Sequence, residues 1–299
     1  MQQKILIVGT NGFTGRRILD TLSDKADYRV TGCSLHADIR PHADSRYRFV
    51  QADIREEAAI RRLFEELRPD VVINTSALSS PDYCESHREE TDETNIRAAA
   101  RLAENCERTG SRLIHLSTDF VFGGDSDRLY TEEDMPAPVN YYGRSKWESE
   151  RRVTGLCGNC AVARIVVVYG NPLPGQHSNI VRLVADRLRS GQPIRVVNDQ
   201  WRTPTFVDDV AQGIDRLIVH PSNGIFHICG PECLTIADIA YRVANALRLD
   251  ASLIQPVSTA EMQEATPRPR FSGLSIDKAR RLLGYRPHSL EEGIRAMQG

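Results

Sequence analysis

The stretch NYYGRSKWESE, Asn140 to Glu150, holds two adjacent tyrosines and one lysine. Asn140 follows Pro138 and can cap a helix. On that helix residues four apart share a face, so Tyr142 stands beside Lys146 and Tyr141 beside Ser145. A nearby ammonium favours the phenolate and lowers a tyrosine pKa. Such a phenol can pass a proton to or from a substrate oxygen near neutral pH. Of the two tyrosines, Tyr142 is therefore the chemical one. A Tyr-x-x-x-Lys pair is common, and its weight here comes from RLIHLSTDFVFGG. That segment reads as a strand ending in Ser117, Thr118 and Asp119. Ligands of open parallel sheets bind beyond the carboxyl ends of the strands. A hydroxyl placed there can hydrogen-bond the same substrate oxygen as Tyr142.

A second constellation opens the chain. ILIVGTNGFTGRRIL sets Gly9, Gly12 and Gly15 between a strand and a helix. Glycines at such a turn let the backbone approach a pyrophosphate, and the helix N-terminus adds free N–H groups. The spacing is GxxGxxG. A carboxylate at the end of the second strand would hold the ribose 2′-OH of NAD. Ser34 and His36 occupy that place, and Asp38 comes late. Arg16, His36 and Arg40 can offer positive charge to a 2′-phosphate. The reading favours NADP(H), with NAD(H) as the alternative.

The elements that must carry these groups alternate. Strand-like runs are KILIVG, YRVTGC, YRFVQAD, DVVINTSA, RLIHLSTD and AVARIVVVYG. Helical spacing covers Arg16 to Ser23, Ala58 to Leu67, Glu89 to Thr109 and Tyr142 to Val153. Alternation of this kind predicts βαβ units and a parallel sheet. VVIN and IVVV lack polar alternation, as strands covered on both faces do. After Gly170 come a loop, a helix stopping at Gly191, a short strand, and a helix opened by Asp208 or Asp209. GIFHICG reads as a further strand, and Thr235 with Asp238 reads as a capping-box variant. The expected fold is α/β: a Rossmann-type doubly wound parallel sheet with a smaller interleaved α/β substrate lobe. Residues 1–170 form the dinucleotide-binding domain, to which 196–228 return. Residues 171–195 and 229–299 form the substrate-binding lobe.

Composition narrows the partners. The 299 residues are 40% hydrophobic and 26% charged, with a net charge of -2. No basic stripe suggests a nucleic acid; Arg61-Arg62 and Arg151-Arg152 sit among acids. MQQKILIVG does not read as a signal peptide, and no apolar run reaches the length of a membrane span. A cytoplasmic location is the expectation. Seven cysteines are scattered. Cys157 and Cys160 form one CxxC without a matching pair, and Cys229 and Cys233 have another spacing, so thiols rather than a zinc or redox site are expected.

Taken together, GTNGFTG, ADI (Ala52 to Ile54), NTSA (Asn74 to Ala77), Asn95, STDFVFGG, YGRSK and ARIVVVYG resemble the extended short-chain dehydrogenase/reductase family, nearly end to end. DQWRTPTFVDDVA, GIFHICGPE, PDYCE and RPRFSGLSIDKARRLLGYRP are similar to its dTDP-4-dehydrorhamnose reductase branch. The resemblance implies a NADP(H)-dependent reductase of a 4-keto nucleotide sugar. It makes Thr118, Tyr142 and Lys146 the catalytic set, with Tyr142 as general acid and Lys146 on the nicotinamide ribose. Gly9, Asn11, Gly12, Phe13, Thr14 and Gly15 would line the pyrophosphate loop. Ser34, Asp53, Ile54, Ser76 and Ala77 would follow the rest of the cofactor, and Asn95 would support the site. Ser117, Asp119, Gln200, Arg202, Pro204 and Thr205 would border the sugar nucleotide, where a guanidinium at Arg202 suits a diphosphate.

Two other readings share the fold. Nothing in the sequence excludes an NDP-sugar epimerase. Dehydratases resemble STDEVYG, and Phe120 stands where their Glu would be, which disfavours elimination. The regulatory β subunit of methionine adenosyltransferase resembles the same branch and acts through protein contact. Some reductases of the branch form a magnesium-linked dimer through a carboxylate near the first helix. Arg16 and Arg17 stand there in this chain, so no metal is expected, while a homodimer remains open.

Overall fold

The computed structural model describes residues 2–39 and 46–298. Arg40 lies outside them. In chain order the elements are β1 (Gln3–Val8), α1 (Phe13–Ser23), β2 (Tyr28–Ser34), β3 (Tyr47–Gln51), α2 (Glu57–Leu67), β4 (Val71–Asn74), α3 (Pro81–Ser86) and α4 (Arg88–Thr91). A π-helical turn, Asp92–Arg97, leads into α5 (Ala98–Thr109), followed by β5 (Arg112–Thr118), α6 (Tyr141–Leu156), β6 (Cys160–Ile165) and β7 (Val168–Tyr169). Then come α7 (Ile180–Arg189), β8 (Ile194–Val197), β9 (Trp201–Arg202), β10 (Thr205–Phe206), α8 (Val207–Val219) and β11 (Gly224–His227). The chain closes with β12 (Leu234–Thr235), α9 (Ile236–Leu247), β13 (Ile254–Val257), α10 (Thr259–Met262), α11 (Asp277–Leu283) and α12 (Leu290–Ala296).

Seven strands form one sheet in the order β11-β6-β5-β4-β1-β2-β3, and every pairing in it is parallel. Successive strand residues face opposite ways. Ile5 and Ile7 join Ile18, Leu19, Val210 and Ile214 on the face covered by α1 and α8. Leu6 and Val8 join Ile60, Phe64, Leu102 and Val153 on the face covered by α2, α5 and α6. The strands meet helices on both faces, which is why VVIN carries no polar alternation. A third apolar cluster around Val184, Phe206, Ile239 and Val243 forms the smaller lobe. Among the described residues no helix is long and apolar enough to cross a membrane.

The lobe boundary differs from the expectation at two places. β8, Ile194–Val197, pairs with β13 in the smaller lobe, so the stretch 196–228 does not return as a unit; its main-sheet helix and strand are α8 and β11. Late in the chain, Leu274, Ile276, Ala279, Leu283 and Tyr285 pack into the α1/α8 face of the main core, although they fall in 229–299.

Three local differences have physical causes. The run Glu89 to Thr109 is helical as expected, but one turn of it is π. The run AVARIVVVYG is two strands rather than one, because Val167 takes φ 37°, a left-handed conformation that costs a β-branched residue. Thr205 holds that kink: its Oγ1 donates to Val166 O at 2.7 Å, and its N–H donates to Val167 O at 3.2 Å. Helix α8 begins at Val207, one or two residues before the expected Asp208 or Asp209. Asp209 instead accepts from His288 N at 2.8 Å and faces His288 Nδ1 at 2.7 Å.

Thr205→Val keeps the shape and removes the hydroxyl. It is expected to lower unfolding free energy by about 1–2 kcal/mol, measured as a shift in urea midpoint.

Candidate active site

Helix α6 begins where Asn140 Oδ1 accepts from Gly143 N at 2.9 Å. Its first turn presses on the turn after β5; a Cβ on Gly143 would lie 2.0 Å from Phe120 O. That approach needs glycine, and it sets Tyr142 against Thr118 at the carboxyl edge of the sheet. Thr118 Oγ1 donates to Asp119 Oδ1 at 3.1 Å. Tyr142 is partly exposed, and its pKa is raised well above the usual phenol value. Burial is the main cause; Asp119 and Cys84 add to it, and a hydrogen bond with Thr118 opposes it. The direction is opposite to the lowering expected from Lys146: loss of solvent dominates, and the opposing hydrogen bond comes from Thr118. Tyr141 serves elsewhere: its hydroxyl donates to Asp92 Oδ1 at 2.8 Å. Ser145 Oγ, rather than meeting Tyr141, accepts from Asn95 Nδ2 at 2.9 Å. Asn95 sits in the π turn, and its Oδ1 accepts from Leu78 N at 2.8 Å.

Lys146 is buried, 3% exposed. Its Nζ lies 3.4 Å from His115 Nε2, and Ser149 Oγ lies 3.0 Å from the same nitrogen. His115 Nδ1 is 3.2 Å from Asn74 Nδ2. Asn74 Oδ1 accepts from Ser76 N at 3.1 Å and Ser76 Oγ at 2.7 Å. Burial pushes the Lys146 amine down to about 8, opposed by Glu150 and Cys84. Glu150 is held by Arg164 at 2.9 and 2.7 Å. Sequence reasoning missed His115, Asn74 and Ser149. The signal available was a lone imidazole in the otherwise apolar part of β5.

The glycine loop fits a dinucleotide. Gly9 has φ 89°, and Cβ atoms on Gly9 and Gly15 would strike Ser76 N at 2.7 Å and Gly9 O at 2.4 Å. Those two glycines serve the packing of the turn. Gly12 differs: its Cβ would meet only Gly9 O, at 3.2 Å. Gly12 caps α1 without a side-chain hydrogen bond, and the first turn carries no acid. That helix end is chemically suited to a pyrophosphate. Phe13 and Thr14 are partly exposed beside it. Asn11 clamps the loop after β2, donating from Nδ2 to Ala37 O at 2.8 Å, while its N–H donates to Ser34 Oγ at 2.9 Å. Ser34 therefore supports the loop.

Several expected ligands are occupied by protein partners. Arg16 is 2% exposed; it pairs with Asp38 and donates to Tyr47 Oη at 3.0 Å. It cannot also be a free cation for a 2′-phosphate. His36 is exposed. Asp53 is bound by Arg55, with its pKa lowered by that hydrogen bond, and Ile54 is a core residue. Ser76 serves Asn74, and Ala77 is partly exposed next to it.

On the substrate side, Asp119 accepts from Ser272 Oγ, and burial raises its pKa. Arg202 Nε is 3.7 Å from Asp119 Oδ2, and Arg202 is 2% exposed. Its Nη2 donates to Gln200 Oε1 at 3.1 Å, and Gln200 Nε2 donates to Glu264 at 2.7 Å. Arg202 is thus a buried, carboxylate-paired arginine rather than a loop cation ready for a diphosphate. Thr205 is fully buried in its strap role and Pro204 is buried beside it. Thr205 therefore does not line the cleft. Ser117 Oγ is buried with no hydrogen-bond partner among the described residues.

The RmlD substrate binding domain matches this chain over residues 3–298. The chain belongs to the RmlD family. Within the short-chain dehydrogenase/reductases this is the dTDP-4-dehydrorhamnose reductase branch. A probable low-salt glycan biosynthesis reductase of Haloferax volcanii is 31% identical, covering 98% of this chain and 96% of that protein. The methionine adenosyltransferase 2 subunit beta of Xenopus laevis is 32% identical over 94% of this chain and 82% of its own. Among solved structures, dTDP-4-dehydrorhamnose reductase from Bacillus anthracis in complex with NADP superposes with a TM-score of 0.85 at 26% identity, covering 100% of this chain and 99% of that one. The RmlD-type chain thus shares its fold with reductases and its sequence with both a reductase and a subunit of another enzyme.

Two tests follow. Gly12→Ala is expected to fold normally and lose dinucleotide affinity in calorimetric titration, whereas Gly15→Ala loses about 1–3 kcal/mol of stability through overpacking. Lys146→Met removes a buried charge. Its wild-type pKa is lowered in the fold, so the ammonium costs stability below pH 8, and the cost fades as pH rises from about 8 toward the ordinary value of 10.5. The variant should therefore be more stable at pH 7 by up to about 3 kcal/mol, with the gain shrinking in denaturation curves at higher pH.

Proposed function

We propose that this RmlD-family chain is a NADP(H)-dependent reductase of a 4-keto nucleotide sugar, with a substrate of the dTDP-4-dehydrorhamnose kind. The observation that supports the reading is Tyr142 meeting Thr118 at the carboxyl edge of the sheet, with Lys146 one turn further along the same helix. The glycine loop opens at that same edge. NAD(H) is the alternative cofactor.

When bound, the dinucleotide supplies a hydride to the carbonyl carbon. The protein does the rest. Thr118 Oγ1 and the Tyr142 hydroxyl direct the carbonyl oxygen. Tyr142, kept protonated by its surroundings, gives its proton to that oxygen as negative charge develops, which is general acid catalysis. Lys146 would hold the nicotinamide ribose and would offer the phenol a cation as it loses its proton. Phe120 meets Tyr142 edge-on at 5.9 Å, and a phenyl ring there cannot carry the proton that dehydration needs.

A second reading rests on the 32% identity to the methionine adenosyltransferase subunit: a dinucleotide-binding partner of another enzyme. Both are tested by following oxidation of NADPH with dTDP-4-dehydrorhamnose. Turnover that falls at least about a hundredfold in Tyr142→Phe, with NADPH still bound, is the expected result. A wild-type chain that binds NADPH, turns over no keto sugar and co-elutes with a methionine adenosyltransferase would replace the first reading by the second.

A further inference from the structure

We propose that His115 is a positioning residue for Lys146: Asn74 holds it as the neutral Nε2–H tautomer, so that it turns an N–H, not a lone pair, toward the lysine amine. The inference takes its functional meaning from the reading of Tyr142 and Lys146 as the reductase pair. Its physical content is independent of turnover.

The tautomer follows from donor and acceptor accounting. Ser76 N can only donate, and it lies 3.1 Å from Asn74 Oδ1. Flipping the amide would set two donors face to face there. Asn74 therefore presents Nδ2 to His115 Nδ1 at 3.2 Å, and that ring nitrogen must accept. Full burial holds the imidazole neutral, and the neighbouring lysine reinforces this. The one ring proton is then on Nε2. Ser149 Oγ accepts it at 3.0 Å, with Lys146 Nζ 3.4 Å away. A protonated lysine meets a donor on that side, whereas a free amine could accept from it.

The other groups facing Lys146 do not reverse this. On its own helix are Tyr142, a neutral phenol, and Glu150, whose carboxylate is taken by both arms of Arg164. On α3 is Cys84, whose thiol is kept protonated by burial. Among the described residues no carboxylate forms an ion pair with the ammonium. The lysine next to the general acid can therefore exchange its proton near working pH, and the tautomer of a histidine on the neighbouring strand sets how readily.

The experiment uses the full chain without cofactor or substrate. With isotope-labelled histidine, long-range proton–nitrogen correlation should show His115 Nδ1 unprotonated and Nε2 protonated. Asn74→Asp keeps both acceptor roles toward Ser76 and adds one toward Nδ1, so it should move the proton to Nδ1. The Lys146 titration, read from labelled lysine side chains, should then rise by roughly one pH unit. A wild-type proton on Nδ1 overturns the proposal, and that measurement stands even if the variant fails to fold. A lysine titration unmoved by the tautomer change overturns it too, as does a rise without the change, which would be the added charge alone. Failure of keto-sugar turnover would sink the functional reading and leave these signals as they are.

Discussion

Lys146 is buried, and the carboxylate one turn along its helix is already committed to Arg164. Removing an ammonium from water without a dedicated counter-charge is costly, so the groups around the amine decide how readily it keeps its proton. His115, Ser149, Asn74 and Ser76 form a continuous line from α6 through β5 to the turn after β4. That turn also meets the glycine loop, since Gly9 approaches Ser76 too closely for any side chain. The amine, the sheet edge and the expected dinucleotide cradle are thus mechanically one unit. A partly satisfied buried network would be worse than an apolar core, which explains why small polar residues occupy positions where a sheet otherwise carries Val and Ile.

The same edge is shaped by close approaches. Gly143 lets α6 reach the Thr118–Phe120 turn, and the kink at Val167 redirects the chain from β6 toward the second lobe. The Thr205 strap opposes the strain of a left-handed valine with two hydrogen bonds to neighbouring carbonyls. Local strain held by its surroundings is common beside functional sites. Here it turns the chain out of the main sheet, so that Arg202 and Ser272 come back against Asp119.

Much of this was legible because it is local. Tyr142 and Lys146 lie four apart on one helix, and a capping asparagine marks its start. The glycine turn is a single strand–helix junction. The βαβ alternation follows from apolar runs of strand length. What was hidden depends on partners distant in sequence. Asp38 and Tyr47 claim Arg16 from another strand and loop. Asp119 buries Arg202 from across the lobe boundary. The IVVV run reads as one strand, since nothing in its composition marks Val167 as the residue that turns. A π turn adds one residue per turn without disturbing the apolar pattern, so Asn95 could be placed on a helix but not aimed. His115 carries no signal of its own in the sequence, because Asn74 and Lys146, which flank it, are distant in the chain.

The return of Leu274 through Tyr285 to the α1/α8 face bears on how the chain is made. The sheet cannot cover that face while the first 170 residues are the only ones to have left the ribosome. Helix α8 arrives some forty residues later, and the last apolar side chains arrive only near the end of translation. Until then the part of that face beyond α1, including Ile114, presents an uncovered apolar surface. A nascent or truncated chain that stops short of α11 would therefore expose the kind of surface that chaperones bind and that drives aggregation, so the N-terminal half should not be expected to survive as an independent piece.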